Sequence, residues 1–187
     1  MQRLAQQAME KIDRTRAVAG TIMDSLCADA SLSSFIPHHD KLTELGFGSD
    51  QLDWLSSSET FPRTVQLLGL ATYRHAALTG LVVSVGGLTE SLVKYSSSSL
   101  LEYLGVLEEG ELAEFGNEIL NVFKRNQGTS RITIPTLKCL DLLFCHGTLE
   151  EILANGELPF AQSLLDLCKT EITKCSDVKK LNCAVDV

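Results

Sequence analysis

Residues 109–126 read EGELAEFGNEILNVFKRN, and their apolar members fall at Leu112, Phe115, Ile119, Val122 and Phe123. Those intervals of three and four residues put these five side chains on one face of a 3.6-residue helix. Glu109 and Glu111 sit where an acidic group favours a helix N-terminus. The stretch therefore predicts an amphipathic helix over about 109–126. Glu108, Glu109, Glu111 and Glu114 are explained by that start, with an acidic face for a basic partner as the alternative reading.

The same period runs outward in both directions. Leu137, Leu140, Leu143 and Phe144 predict a helix over 135–145 opened by Pro135, and Ala161, Leu164, Leu165, Cys168 and Ile172 predict one over 159–175 opened by Pro159. Shorter helices fit 148–154 and 177–184. Gly128, Gly147 and Gly156 fall where helices stop. Only RITI at 131–134 alternates like a strand. Upstream, Thr60 is a possible N-cap with Pro62 in the first turn of a short helix over 62–70. Helices over 72–85 and 88–104 follow, separated by Gly86-Gly87 and weakened by the serines at 96–99.

At the N-terminus, Leu4, Ala8, Met9, Ile12, Ala19, Ile22, Met23 and Leu26 predict one long amphipathic helix over 1–28. Residues 29–60 break the period with Ser, Gly, Pro and Asp and predict an irregular connection, with Phe35, Phe47 and Trp54 as apolar anchors. Residues 61–187 form the helical-repeat region, and the whole is expected as one structural unit. The fold class is all-α: a HEAT-like α-solenoid of about eight helices. Apolar clusters near Leu68, Leu104 and Leu142 recur at a spacing close to the repeat length of such arrays.

Composition excludes several function classes. A net charge of −8 without a long Lys/Arg block argues against nucleic acid or anionic membrane as the main partner. The most apolar run, at 78–88, is interrupted by Thr79, Ser84 and three glycines, too polar for a membrane span. The first sixteen residues mix charge with apolar groups and lack a signal-peptide core. Six cysteines, none in a CxxC pair, read as reduced thiols of a cytosolic protein; Cys168 and Cys175 share a helix face as small buried groups.

Chemistry-bearing motifs are weak. GLVVSVGG at 80–87 lacks the GK[ST] of a phosphate loop and has Val82 where a nucleophile elbow needs glycine. Close helix packing followed by a double-glycine stop explains it. Ser91 and Lys94 match SxxK, but SDN and KTG are absent. Cys145 and His146 are adjacent on a helix and point about 100° apart. His38-His39 stands in a loop without a metal-ligand pattern. No catalytic, cofactor or metal residues are expected, and a hydrolase built on Ser84 or Ser91 ranks last.

Residues 61–92, FPRTVQLLGLATYRHAALTGLVVSVGGLTESL, carry a resemblance. Phe61-Pro62-Arg63, Gln66 to Leu70, Tyr73-Arg74 and above all GLVVSVGGLTES at 80–91 resemble the C-terminal domain of the tubulin-folding cofactor D family. Glu10 to Arg14, Pro37-His38, Leu100 to Tyr103 and Leu165 to Lys169 also fit it, in the same order. The resemblance implies a cytosolic, microtubule-associated HEAT-repeat chaperone that binds β-tubulin after chaperonin release. Its implied partners are cofactors C and E and an Arf-like small GTPase, with which it assembles and dissociates αβ-tubulin and stimulates GTP hydrolysis. This chain would be only the C-terminal part of such a protein, and it is read as a non-enzymatic binding module. Arg63, Gln66, Tyr73, Arg74, Ser84 and Glu90 are the expected outward-facing partner-binding residues. None of Arg63, Arg74, Arg125 and Arg131 is assigned as an arginine finger. The competing reading is a generic α-solenoid scaffold with no direct tubulin contact.

Overall fold

The chain turns sharply where one long N-terminal helix was expected. In the computed structural model, which describes residues 1–49, 52–150, 158–174 and 182–183, α1 (Gln2–Gln7) ends and α2 (Asp13–Ala28) begins across a five-residue turn. The turn is fixed by its carbonyls. Ser84 Oγ donates to Met9 O at 2.7 Å, and Arg16 Nη1 donates to Glu10 O at 3.1 Å. Each bond satisfies a group that a continuous helix would have used internally. Ala8 and Met9 are fully buried in the turn, while Ile12 is half exposed. The periodicity continued across the break because both helices bury the same kinds of residue.

The chain packs as two compact units, Met1–Ser99 and Leu100–Val187. In the first, a 3₁₀ segment (Ala30–Phe35) and α3 (His39–Glu44) follow α2; α4 (Ser57–Thr64) runs into a second 3₁₀ segment (Val65–Gly69), and then α5 (Ala71–Val85). α1 packs on α2 and on α5, and α2 also meets α3. Residues 29–60 are thus more helical than the expected irregular connection. Of their three apolar anchors, Phe47 and Trp54 are buried, but Phe35 is 80% exposed.

Trp54 lies on α2. A Cβ at Gly20 would fall inside its indole ring, so the absent side chain makes the room. Its Nε1 donates to Asp24 Oδ2 at 2.6 Å, and Asp24 Oδ1 accepts from Gly48 N at 3.0 Å. Gly48 has a φ of +87°, which a side chain would strain.

The expected helix over 62–70 starts earlier. Ser56 precedes α4, Thr60 is buried within it rather than capping it, and Pro62 sits inside it. Pro62 lacks the N–H that would bond Ser58 O, and the helix lasts only two residues beyond it before tightening to 3₁₀ geometry. α5 ends at Gly86, as the double glycine predicts. It is buried from Ala77 to Val85 on nearly all sides, which is why it lacks a polar face. α6 (Glu90–Leu104) accommodates its serines by local bonding: Ser96 Oγ donates to Leu92 O at 2.8 Å.

In the second unit, α7 (Glu109–Arg125) packs on α8 (Ser130–Cys145) and α9 (Leu158–Lys174). Leu112, Phe115, Ile119, Val122 and Phe123 are all buried, and Glu111 Oε2 accepts from Glu108 N at 3.2 Å as a reciprocal N-terminal cap. RITI at 131–134 is the first turn of α8, not a strand. Thr133 Oγ1 donates to Asn126 O and Thr136 Oγ1 to Ile132 O, both at 2.8 Å, so the threonines serve a helix start. Pro135 is consequently internal to α8. On α9 the buried face is Phe160, Leu164, Cys168 and Glu171, while Leu165 and Ile172 are exposed. Glu171 Oε1 accepts from Gly128 N at 3.0 Å. The helices expected over 148–154 and 177–184, with Gly156 and Cys175, fall mostly outside the described residues. No strand occurs among the described residues; the fold is all-α.

Candidate partner-binding surface

Four of the six expected partner-binding residues hold the first unit together. Ser84 and Tyr73 are completely buried. Ser84 is the pin for the Met9 carbonyl, and Tyr73 donates its hydroxyl to Pro37 O at 2.7 Å. Burial, reinforced by the nearby Cys27, pushes the phenol up to about 12. His38 sets an imidazole edge against its ring, with centroids 6.4 Å apart. Both residues are corrected from outward-facing to core. On α5 a nearly all-round apolar segment conceals which face is outer, so spacing alone misplaced them.

Arg63 and Arg74 are half-buried and serve as straps. Arg63 Nη1 donates to Gly46 O at 2.9 Å, and Arg74 Nε donates to Leu68 O at 2.8 Å. Each tethers the segment around the 3₁₀ turn to a carbonyl that lacks a helical partner. Gln66 and Glu90 do face outward: Gln66 on the 3₁₀ turn, Glu90 in the first turn of α6. Beside Glu90 stands Leu88, 93% exposed. Of the other arginines, Arg125 is exposed in the last turn of α7. Arg16, which sequence reasoning passed over, is fully buried.

The nucleophile candidates carry no assembled site. Ser84 has its hydroxyl committed and no solvent access. Lys94 extends over the Tyr95 ring at 5.7 Å. Cys145 Sγ lies 3.9 Å from Asp141 Oδ1. His39 Nε2 donates to Cys27 O at 2.9 Å, and His38 Nε2 hydrogen-bonds with Thr72 Oγ1 at 3.1 Å, both as structural ties. Among the described residues no three of His, Cys, Asp and Glu converge as metal ligands, and Cys27, Cys139, Cys145, Cys168 and Cys183 are free thiols. Burial raises the Cys139 thiol to about 12 and, helped by the Asp24 charge, the Cys27 thiol to about 11. Such thiols are poor nucleophiles. No described helix is long and apolar enough to cross a membrane.

Two concavities were not legible in the sequence. One, of about 590 Å³, lies in the second unit along α7 and α9, lined by Asn117, Asn121, Lys124, Gln127, Ser163 and Asp166 among others. The second, of about 260 Å³, lies in the first unit where the starts of α4 and α6 meet Lys11 and Asp13. Both gather residues distant in sequence, which no local pattern announces.

The family model described as tubulin folding cofactor D C terminal matches residues 1–180. Tubulin-specific chaperone D of Dictyostelium discoideum is 29% identical over 156 residues, covering 77% of this chain and 10% of the relative. The chain therefore spans about a tenth of the length of that curated relative. No solved structure matches. With a match that takes in both helical units, the chain belongs to the tubulin folding cofactor D C-terminal family.

Proposed function

We propose that this chain is a tubulin-folding cofactor module that binds β-tubulin and takes part in post-chaperonin assembly and disassembly of αβ-tubulin. The family match over residues 1–180 carries this reading. The relative's name, a tubulin-specific chaperone, supports it. The module works by contact rather than catalysis, in the cytoplasm and in association with microtubules. Stimulation of GTP hydrolysis belongs to a larger assembly with cofactors C and E and an Arf-like small GTPase. A HEAT-like stacking of the helices suits this role, because each helical layer buries its apolar face on the next and leaves ridges for a partner.

Within the earlier set, Gln66 and Glu90 remain the contact candidates, joined by the exposed Leu88. Arg63, Tyr73, Arg74 and Ser84 instead hold the surface that presents them. That four of six are structural also favours, as a second reading, a bracing scaffold that supports tubulin contact made elsewhere. Pull-down against native αβ-tubulin separates the two. Direct contact predicts retention that weakens when Leu88 and Glu90 are replaced by alanine. A folded sample that retains no tubulin eliminates direct contact and leaves the bracing role.

A further inference from the structure

The groove of about 590 Å³ along α7 and α9 presents amide groups that the chain itself does not use. Asn117 and Asn121 line it from the middle of α7, and both are exposed. Neither side chain has a hydrogen-bond partner among the described residues. Asn126 shows the alternative: its Nδ2 donates to Val122 O at 2.8 Å, where the helix ends. Asparagine is a poor residue for a helix interior, because its amide competes for backbone hydrogen bonds. Two of them inside α7 therefore weaken the helix without gaining an internal bond.

The same groove holds an unsatisfied donor. Gln127, just past the end of α7, is half-buried, with its Nε2 shut off from solvent and lacking an acceptor. A buried amide N–H left unbonded is unfavourable, so a carbonyl in the groove would draw this side chain outward. The two charged residues of the lining, Lys124 and Asp166, are of opposite sign. Asp166 Oδ1 also accepts from Gln162 Nε2 at 2.9 Å and lies 3.9 Å from Lys169 Nζ. Leu120 and Leu167 supply apolar surface, and among the described residues no aromatic ring lines the groove for a base to stack on. The groove thus suits a neutral ligand rich in paired donors and acceptors.

Polypeptide main chain is such a ligand. Each peptide unit offers an N–H and a C=O, and a side-chain amide answers both. The spacing agrees. Asn117 and Asn121 stand four residues apart, about 6 Å along a helix axis. In an extended strand, residues that face the same way recur about every 6.6 Å. We propose that this groove binds an extended segment of a partner polypeptide by its backbone, with Asn117 and Asn121 each pairing with a peptide unit and Gln127 turning to another. The surface lies in the second unit and is separate from the tubulin contact proposed at Gln66 and Glu90, so each stands or falls alone.

The test is selection of a displayed random-peptide library on the whole chain, followed by fluorescence-anisotropy binding of the enriched peptides. Their affinity should fall roughly tenfold in Asn117→Ala and again in Asn121→Ala, the loss of about two neutral hydrogen bonds in each case. Both variants should melt no lower than the native chain, since alanine favours helix; a structural role for the asparagines would lower the melting temperature instead. N-methylation of alternate peptide bonds leaves every side chain of the peptide in place. In one of the two alternating registers it should abolish binding, and in the other it should be tolerated. Full affinity for the alanine variants, equal effects of the two registers, or a selection yielding no peptide dependent on Asn117 and Asn121 overturns the proposal. Enriched peptides that reproduce a stretch of this chain would seat a second copy in the groove and overturn the assignment to a partner.

Discussion

Asp24 uses both carboxylate oxygens to join segments far apart in sequence, taking the Trp54 indole N–H on one and the Gly48 amide on the other. Removing it leaves two donors unpaired, at a cost of about 1–3 kcal/mol each. Asp24→Ala is therefore expected to lower the unfolding free energy by about 2–4 kcal/mol in urea titration with tryptophan emission as probe, while Asp24→Asn, which keeps one acceptor, loses less. Titration supplies a second expectation. Cys27, Cys139 and Tyr73 have folded values of about 11, 12 and 12, above their ordinary 9, 9 and 10. Between those limits the unfolded chain has lost protons that the folded chain keeps. Folding stability is thus full below pH 9 and falls as pH rises toward 12, by about 1.4 kcal/mol per pH unit for Cys139 alone. Thermal melts from pH 8 to 11 check it. A melting temperature unchanged over that range contradicts the burial of these groups.

Between elements, the contact of α1 with α5 turns on Gly80. A Cβ there would overlap the Gln6 carbonyl oxygen and crowd Met9 Cβ at 3.1 Å, so the two helices meet because the side chain is absent. Gly80→Ala is expected to destabilise by about 2–4 kcal/mol, seen as a drop in melting temperature with helical content retained at low temperature. Substitution at Gly110, which has open space where a Cβ would stand, is the control for local helix effects. Helix legibility follows the same physics. α7 was readable because solvent on one side and core on the other write opposite residues on its two faces. α5 was readable as a helix, and its Gly86 stop was too, but its outer face was not, because burial on nearly all sides erased the contrast that would have placed Tyr73 and Ser84. The break between α1 and α2 was hidden because its determinants, Ser84 and Arg16, act from outside the turn or through tertiary bonds. The start of α8 was misread because isolated β-branched residues alternate, while threonines bonding back to carbonyls decide for helix.

For the molecule as a whole, α2 leaves Val18 and Ile22 exposed four residues apart, with Leu26 half-buried a turn further on. Helical arrays bury such stripes on a neighbouring layer. The isolated chain is expected to self-associate in a concentration-dependent way, and Val18→Glu with Ile22→Glu to shift it toward monomer in sedimentation velocity. A sharp monomer at all concentrations shows that this stripe is not an unfilled stacking face. Family membership was legible in residues 61–92 because their glycines serve close backbone approaches, as Gly80 and Gly87 do, that tolerate little substitution. The exposed contact surface was less legible, since outward residues answer to a partner and not to the chain's own core.

Site-specific photocrosslinking to native αβ-tubulin, from a benzophenone side chain placed at Gln66 or at Glu90, tests the tubulin-module reading most directly. Covalent adducts to β-tubulin are expected from these two positions, and none from a control at exposed Arg125. Adducts absent from both positions in a folded sample, or formed equally from Arg125, would contradict it.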